Sequence, residues 1–379
     1  MKIFLFDMDG VLLESHGYHL ALQETIHRIA MVLGFEQVTL SLDDMATFEA
    51  GGITSEWDEA AIITALLLET IWMSFPDRVL PDSLGKNAIV TMSRKRPDFT
   101  SLAHLLSAPD MLNLHPLKRA ERHFLSTDHF TQTQSDILLG VIRNARNPQH
   151  SLTHRTFQEL VLGSREYGNT YGLSPVLDCE GYLLKHDISN LTHAESAQLK
   201  DWLSAGGHSA AVFTSRPSKP PAGVFSTPEA ELGALQVGLE DIPIAGWGGI
   251  TWLGNQYHTE PQIFVKPSPV HALAALRMAL GDGQETAFTA AVELVRNGQA
   301  GATWRRLDGS QVCVFEDSTN GIKSLKTARQ VLDGVGIHIE TKNFGIATNS
   351  AKIQTLIENG AQVFPSLVDA LGLLMNRFY

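Results

Sequence analysis

The segment Lys2-Ile3-Phe4-Leu5-Phe6-Asp7-Met8-Asp9-Gly10-Val11-Leu12 constrains the fold more than any other, because an apolar run delivers two carboxylates, one residue apart, into a glycine turn. Ile3 to Phe6 is too short for a helix and too apolar for a half-solvated strand, so it reads as a central strand buried on both faces. In open α/β sheets ligands bind beyond the carboxyl ends of the strands, the expected place of Asp7 and Asp9. Two carboxylates held together repel unless a cation or a proton intervenes, so the pair predicts either a hard metal with oxygen ligands or a shared proton. The plainer alternative is a strand that ends in a solvated, acid-rich turn.

From about residue 187 onward, strand and helix patterns alternate as in a parallel sheet. A helix over Thr192 to Ala205 precedes a strand over Ser209 to Phe213, which runs into Thr214-Ser215-Arg216-Pro217. A helix over Pro228 to Leu239 follows, with Thr227 as its cap and Glu229 and Glu231 in the first turn, where the helix dipole favours anions. A strand over Ile263 to Val265 reaches Lys266-Pro267, and Ser268 and Pro269 open another helix. A strand over Val312 to Phe315 reaches Glu316-Asp317-Ser318, and the pattern continues with a strand over Phe344 to Ala347, a helix over Ala351 to Glu358, a strand at Val363-Phe364 and a last helix.

Residues 16 to 186 differ in period. Apolar residues at helical spacing mark His19 to Leu33, Ser55 to Trp72, Ser101 to Leu106, Leu117 to Leu125, Thr133 to Arg143 and His154 to Leu162, with Pro-rich and polar connections such as Ser74 to Arg96. The expectation is an α/β core made of residues 1–15 and 187–379, with a helical domain over 16–186 inserted after the first strand.

The strand ends supply one set of polar residues: Asp7 and Asp9, Thr214, Lys266, and Glu316 with Asp317. In this order and with these flanks the set resembles the four motifs of the haloacid dehalogenase superfamily. That resemblance implies a Rossmann-like core with a mostly parallel sheet, a helical cap, and Mg²⁺ as cofactor. It implies that Asp7 is the nucleophile that forms an aspartyl-phosphate. Asp9 becomes the general acid and base, lending its backbone carbonyl to Mg²⁺, with Asp317 and Glu316 as acidic ligands and Asp317 the better of the two. Thr214 and the Ser215 amide would bind phosphoryl oxygens, Lys266 would neutralise charge, and Arg216 would either clamp substrate or form a surface ion pair. The separate readings are plainer: a turn residue at Thr214, a solvated Lys266, a helix cap at Glu316-Asp317.

The likeness extends into the helical segment. Glu14 to His19 resembles the hinge and first cap helix of sugar phosphomutases and related phosphatases, where a histidine at the place of His19 lies near the general acid. Glu49-Ala50-Gly51-Gly52-Ile53-Thr54-Ser55 resembles the cap loop that enters the site, which assigns Gly52, Ile53 and Thr54 to the substrate. From about 75 to 185 the helical segment exceeds the usual cap, and residues 281 to 310 form a second insertion. The aromatic-rich stretch from Phe157 to Tyr171 reads as core packing rather than a pocket wall, and Trp304-Arg305-Arg306 carries no chemistry.

The implied activity is hydrolysis of a small phosphorylated metabolite, of the sugar or polyol phosphate class. A phosphomutase using the same residues, or a non-catalytic protein that binds a phosphorylated ligand, are the alternatives. Dehalogenating members lack the second acid, so Asp9 speaks against halide displacement. Phosphonate hydrolysis needs a cap lysine, and residues 16 to 75 contain none. With 44% hydrophobic and 18% charged residues the composition is that of a globular protein, and a net charge of -12 leaves no basic stripe for nucleic acid. The small cluster Arg94-Lys95-Arg96 reads as a solvated loop. The two cysteines lack metal-ligand spacing, no run is long enough to span a bilayer, and no signal peptide is evident, so a cytoplasmic, reducing setting is expected.

Overall fold

The computed structural model describes residues 1–36, 38–77, 96–126 and 129–375. Arg94 and Lys95, and most of the Ser74 to Arg96 connection, therefore lie outside the described residues. The chain divides into two compact units, Met1–Ser15 with Asp187–Tyr379, and His16–His186. The first is α/β, as the strand-helix alternation predicts, and the second is helical.

In the α/β unit six parallel strands lie in the order β5-β4-β1-β6-β7-β8, where β1 is Lys2–Phe6, β4 Ser209–Phe213, β5 Ile244–Ala245, β6 Gln311–Glu316, β7 Glu340–Ile346 and β8 Gln362–Phe364. Two short segments, β2 (Leu13–Glu14) and β3 (Ile188–Ser189), pair antiparallel where the chain leaves and re-enters the unit. The chain starts at β1, steps outward through β4 to β5, and returns to the other side of β1 as β6. Neighbouring connections thus diverge at β1, the switch point at which open sheets form their crevice.

The period of two explains why the central strands are apolar on both faces. Ile3, Leu5, Ala211, Phe213, Val312 and Val314 pack into one core with residues of helices Pro269–Ala279, Gln284–Asn297 and Thr319–Gly334. Their alternates Phe4, Phe6, Ala210, Val212, Cys313 and Phe315 pack into another with helices His193–Ala205, Glu229–Val237 and Leu367–Met375. Both faces are therefore covered, and after Lys2 every residue of β1 is apolar and buried. Register brings Phe6 beside Phe315 and Phe315 beside Phe344, and the rings stack with centroids 4.8 and 5.1 Å apart.

Three local expectations are corrected. Ile263 to Val265 is not a strand: Pro261–Ile263 forms a 3-10 turn, the Phe264 and Ser268 amides close local turns onto Pro261 and Val265, and Ile263 is exposed. Prolines at 261 and 267 leave too few residues to join an edge strand. Thr227 does not cap the next helix, because its hydroxyl donates to Glu229 Oε1 (2.9 Å) and Pro228 occupies the cap position. Ser268 takes the cap position before Pro269, yet its side chain makes no capping bond. The insertion at 281 to 310 folds as helices Gln284–Asn297 and Ala302–Arg305, with Trp304 in the core under Arg277.

In the helical unit, Glu56–Ser74 is central, packed by Gly17–Val32, Gln132–Arg143 and Leu152–Leu162. Three helices escape the periodicity argument, one of them the single-turn Tyr182–His186. Leu42–Ala50 mixes four polar residues into its nine and is started by a Ser41/Asp44 capping box. Ser164–Tyr171 contains Gly168 and few good helix formers. Phe157 and Tyr167 are fully buried, so the aromatic stretch is packing. No described helix is long and apolar enough to cross a membrane, and both cysteines are free.

Candidate active site

Asp7 leaves β1 buried, its amide bound to the Phe315 carbonyl (3.0 Å) and its Oδ1 accepting from the Met8 amide (2.8 Å). The chain then turns tightly, with the Leu12 and Leu13 amides donating to Met8 O. Gly10 has φ of +73°, and a Cβ there would stand 2.6 Å from Asp317 Oδ2. The turn therefore needs glycine twice over, for its left-handed conformation and for the approach of Asp317.

Lys266 arrives from the loop before helix Pro269–Ala279 rather than from a strand end. Its Nζ lies 2.9 Å from Asp7 Oδ1, 2.9 Å from Glu316 Oε1 and 3.1 Å from the Phe213 carbonyl, so its three protons each have an acceptor. It is buried, which excludes the solvated-lysine alternative. Burial disfavours its charge, yet the Asp7 and Glu316 carboxylates more than offset that and hold its pKa above the usual lysine value. Burial pushes both carboxyls up; Asp9 and Asp317 raise Asp7 further, Asp7 raises Glu316, and Lys266 only partly counters them. The cluster thus holds more negative charge than one lysine balances.

His271, which sequence reasoning missed, fixes the lysine's backbone. Its Nδ1 accepts from the Lys266 amide (3.2 Å) and its Nε2 donates to the Ala245 carbonyl (2.9 Å), an arrangement that requires the neutral ring. Burial, and then the Lys266 charge, lower its pKa to about 3.

Asp7, Glu316 and Asp317 each bring a carboxylate oxygen within 4.8 Å of the others. Glu316 is fully buried at the end of β6, next to Gly321, where a Cβ would stand only 1.7 Å from Glu316 Oε1. Neither acid caps the following helix, whose cap position belongs to Ser318. Asp317 is partly exposed and meets Lys352 Nζ at 2.6 Å, a second partner that sequence did not reveal. A cage of hard carboxylate oxygens with surplus negative charge suits Mg²⁺, so the residues present fit that ion.

Thr214 ends β4 fully buried, its amide on the Ala245 carbonyl (3.1 Å) and its Oγ1 accepting from the Arg216 amide (3.1 Å). The Ser215 side chain is exposed. Arg216 is not a surface ion pair. Its side chain is 2% exposed and lies between Asp9 (Nη2 to Oδ1, 2.6 Å) and Asp187 (Nη2 to Oδ2, 2.8 Å). A guanidinium at the edge of a core needs such paired acids to replace its water. Burial raises the Asp9 pKa, but the Arg216 charge and hydrogen bonds, with the Ser15 hydroxyl, more than reverse this and leave it below the usual range.

His19, Gly52, Ile53 and Thr54 belong to the helical unit. His19 Nε2 lies 3.6 Å from Glu49 Oε1, Gly52 has φ of +77°, Ile53 is buried and Thr54 exposed. The turn is pinned by buried Arg119, whose Nη1 donates to the Gly51 carbonyl at 2.7 Å. Distance in sequence hid this arginine, since nothing local ties residue 119 to residue 51.

No protein-family model matches the chain, and no curated protein does. Among solved structures, an X-ray structure determined as a Northeast Structural Genomics Consortium target is similar to it, with 17% sequence identity over 99% of each chain and a TM-score of 0.59. At that identity the likeness speaks to the fold alone: this chain is an α/β protein with a six-stranded parallel sheet flanked by helices.

Proposed function

We propose that this chain is a Mg²⁺-dependent phosphatase of the haloacid dehalogenase type, acting on a small phosphorylated metabolite of the sugar or polyol phosphate class. The observation that carries the reading is the meeting of Asp7 with Lys266 at 2.9 Å inside a carboxylate cluster completed by Glu316 and Asp317. A nucleophilic carboxylate beside a fixed buried cation is what attack on an anionic phosphate requires.

Asp7 would attack phosphorus as the ester P–O bond breaks and a proton from Asp9 passes to the departing oxygen. Water would then cleave the aspartyl-phosphate, with Asp9 taking its proton. Lys266 keeps Asp7 oriented through a charge-assisted bond, and Thr214 would offer its hydroxyl to the phosphoryl group. Asp7, Glu316 and Asp317, with the Asp9 carbonyl, would hold Mg²⁺. When bound, the ion supplies Lewis-acid stabilisation of the phosphoryl charge.

The test is release of phosphate from p-nitrophenyl phosphate with Mg²⁺ by the purified protein and by Asp7→Asn. The expected result is turnover in the former and background in the latter. An undiminished rate in Asp7→Asn would overturn the mechanism.

A further inference from the structure

Arg216 binds the two oxygens of Asp9 unequally. Oδ1 receives Nε (2.8 Å), Nη2 (2.6 Å) and the Ser15 hydroxyl, whereas Oδ2 receives only Nε at 3.0 Å. Oδ1 is therefore the anchored oxygen, and Oδ2 is the one left to carry and pass a proton. The Asp9 side chain is 42% exposed, so part of it stays open to a substrate.

The anchor has its own support. Nη2 of Arg216 also donates to Asp187 Oδ2 at 2.8 Å and to Ser15 Oγ at 2.9 Å, and the Asp187 side chain is 0% exposed. Asp187 is itself fixed: its carbonyl accepts from Gln236 Nε2, and the adjoining Ile188–Ser189 strand pairs with Leu13–Glu14. Asn190 ties the same two segments again, its amide donating to the Leu12 carbonyl and its side chain to the Val11 carbonyl, both at 2.9 Å. An acid with no exposed surface cannot touch a substrate. The guanidinium is thus held from two sides, by Asp9 and by Asp187, and the buried acid fixes how it lies.

We propose that Asp187 is a positioning residue that acts through Arg216, with Ser15, to fix Asp9 Oδ1 and so aim Asp9 Oδ2 at the leaving-group oxygen. This rests on the phosphatase reading above. The step is transfer of the Asp9 proton to the ester oxygen while the bond from that oxygen to phosphorus breaks and the bond from Asp7 forms. Alkyl leaving groups need that proton, and a p-nitrophenolate does not, so a fault in aiming Asp9 is selective in a way that a merely structural fault is not.

The experiment compares kcat/KM for glycerol 2-phosphate and p-nitrophenyl phosphate in wild type, Asp187→Asn, Ser15→Ala and Asp7→Asn. This parameter includes steps only up to departure of the alcohol, so slow hydrolysis of the aspartyl-phosphate does not enter it. Asp187→Asn is expected to lose about 10- to 100-fold on the alkyl ester and no more than about 3-fold on the aryl ester, within what general-acid catalysis contributes. Ser15→Ala, which removes one donor and no charge, should show the same selectivity at smaller size, and stands alone as the test if Asp187→Asn does not fold. Equal losses on both substrates, or none on either, overturn the positioning role. If Asp7→Asn still silences the enzyme, the phosphatase reading survives that failure. A wild type inert towards both esters removes the reading and the proposal together.

Discussion

Replacing Lys266 by Met tests the electrostatic design of the site. The side chain fills nearly the same volume, so packing changes little, but Asp7 and Glu316 lose a cation that stood 2.9 Å from each. Breaking a buried pair by removing one partner costs about 3–5 kcal/mol. For a unit of this size that lowers Tm by roughly 6–20 °C. The loss must depend on pH. Burial already raises both carboxyl pKa values in the fold, and without Lys266 nothing opposes it. A carboxyl whose folded pKa is raised contributes stability fully below its unfolded value, near 4, and loses it as pH climbs through the folded value. Lys266→Met should therefore nearly match the wild type at pH 4–5 and fall furthest behind near pH 8. Thermal melts followed by circular dichroism across that range, in metal-free buffer, measure the gap. A gap independent of pH, or a variant as stable as wild type at pH 8, would refute the account of charge surplus.

Three further outcomes are expected. Gly321→Ala places a Cβ 1.7 Å from Glu316 Oε1 and must displace that carboxylate; it should cost about 1–3 kcal/mol and weaken Mg²⁺ binding measured by calorimetry. His271→Phe deprives the Lys266 amide and the Ala245 carbonyl of partners, at about 1–3 kcal/mol each by denaturant titration. Because the folded His271 pKa is lowered to about 3, wild type loses stability as pH falls from about 6.5 towards that value, and the variant's acid limb should be shallower by up to ~1.4 kcal/mol per pH unit. Phe315→Ala removes the middle ring of the Phe6, Phe315 and Phe344 stack and should destabilise by about 3–5 kcal/mol in the same titration.

What the amino-acid sequence determined by itself is local. The apolar run before Asp7 could only be a doubly covered strand, and the acids after β1 and β6 followed from strands that end in turns, since a period of two and a glycine are readable within a few residues. The helical period of most of residues 16–186 was readable for the same reason, while Leu42–Ala50 was hidden because its polar surface leaves little period to see. Lys266 was found through its place in a motif, but the strand assigned before it was wrong, since three β-favouring residues between prolines look the same whether or not an edge is there to receive them. Only the tertiary structure decided who neutralises whom. Arg216 meets Asp9 across 207 positions, and His271, Lys352 and Asp187 gain their roles only once the sheet gathers its strand ends. Such partners share no local pattern, because a buried charge is satisfied by whichever side chain the fold carries to it.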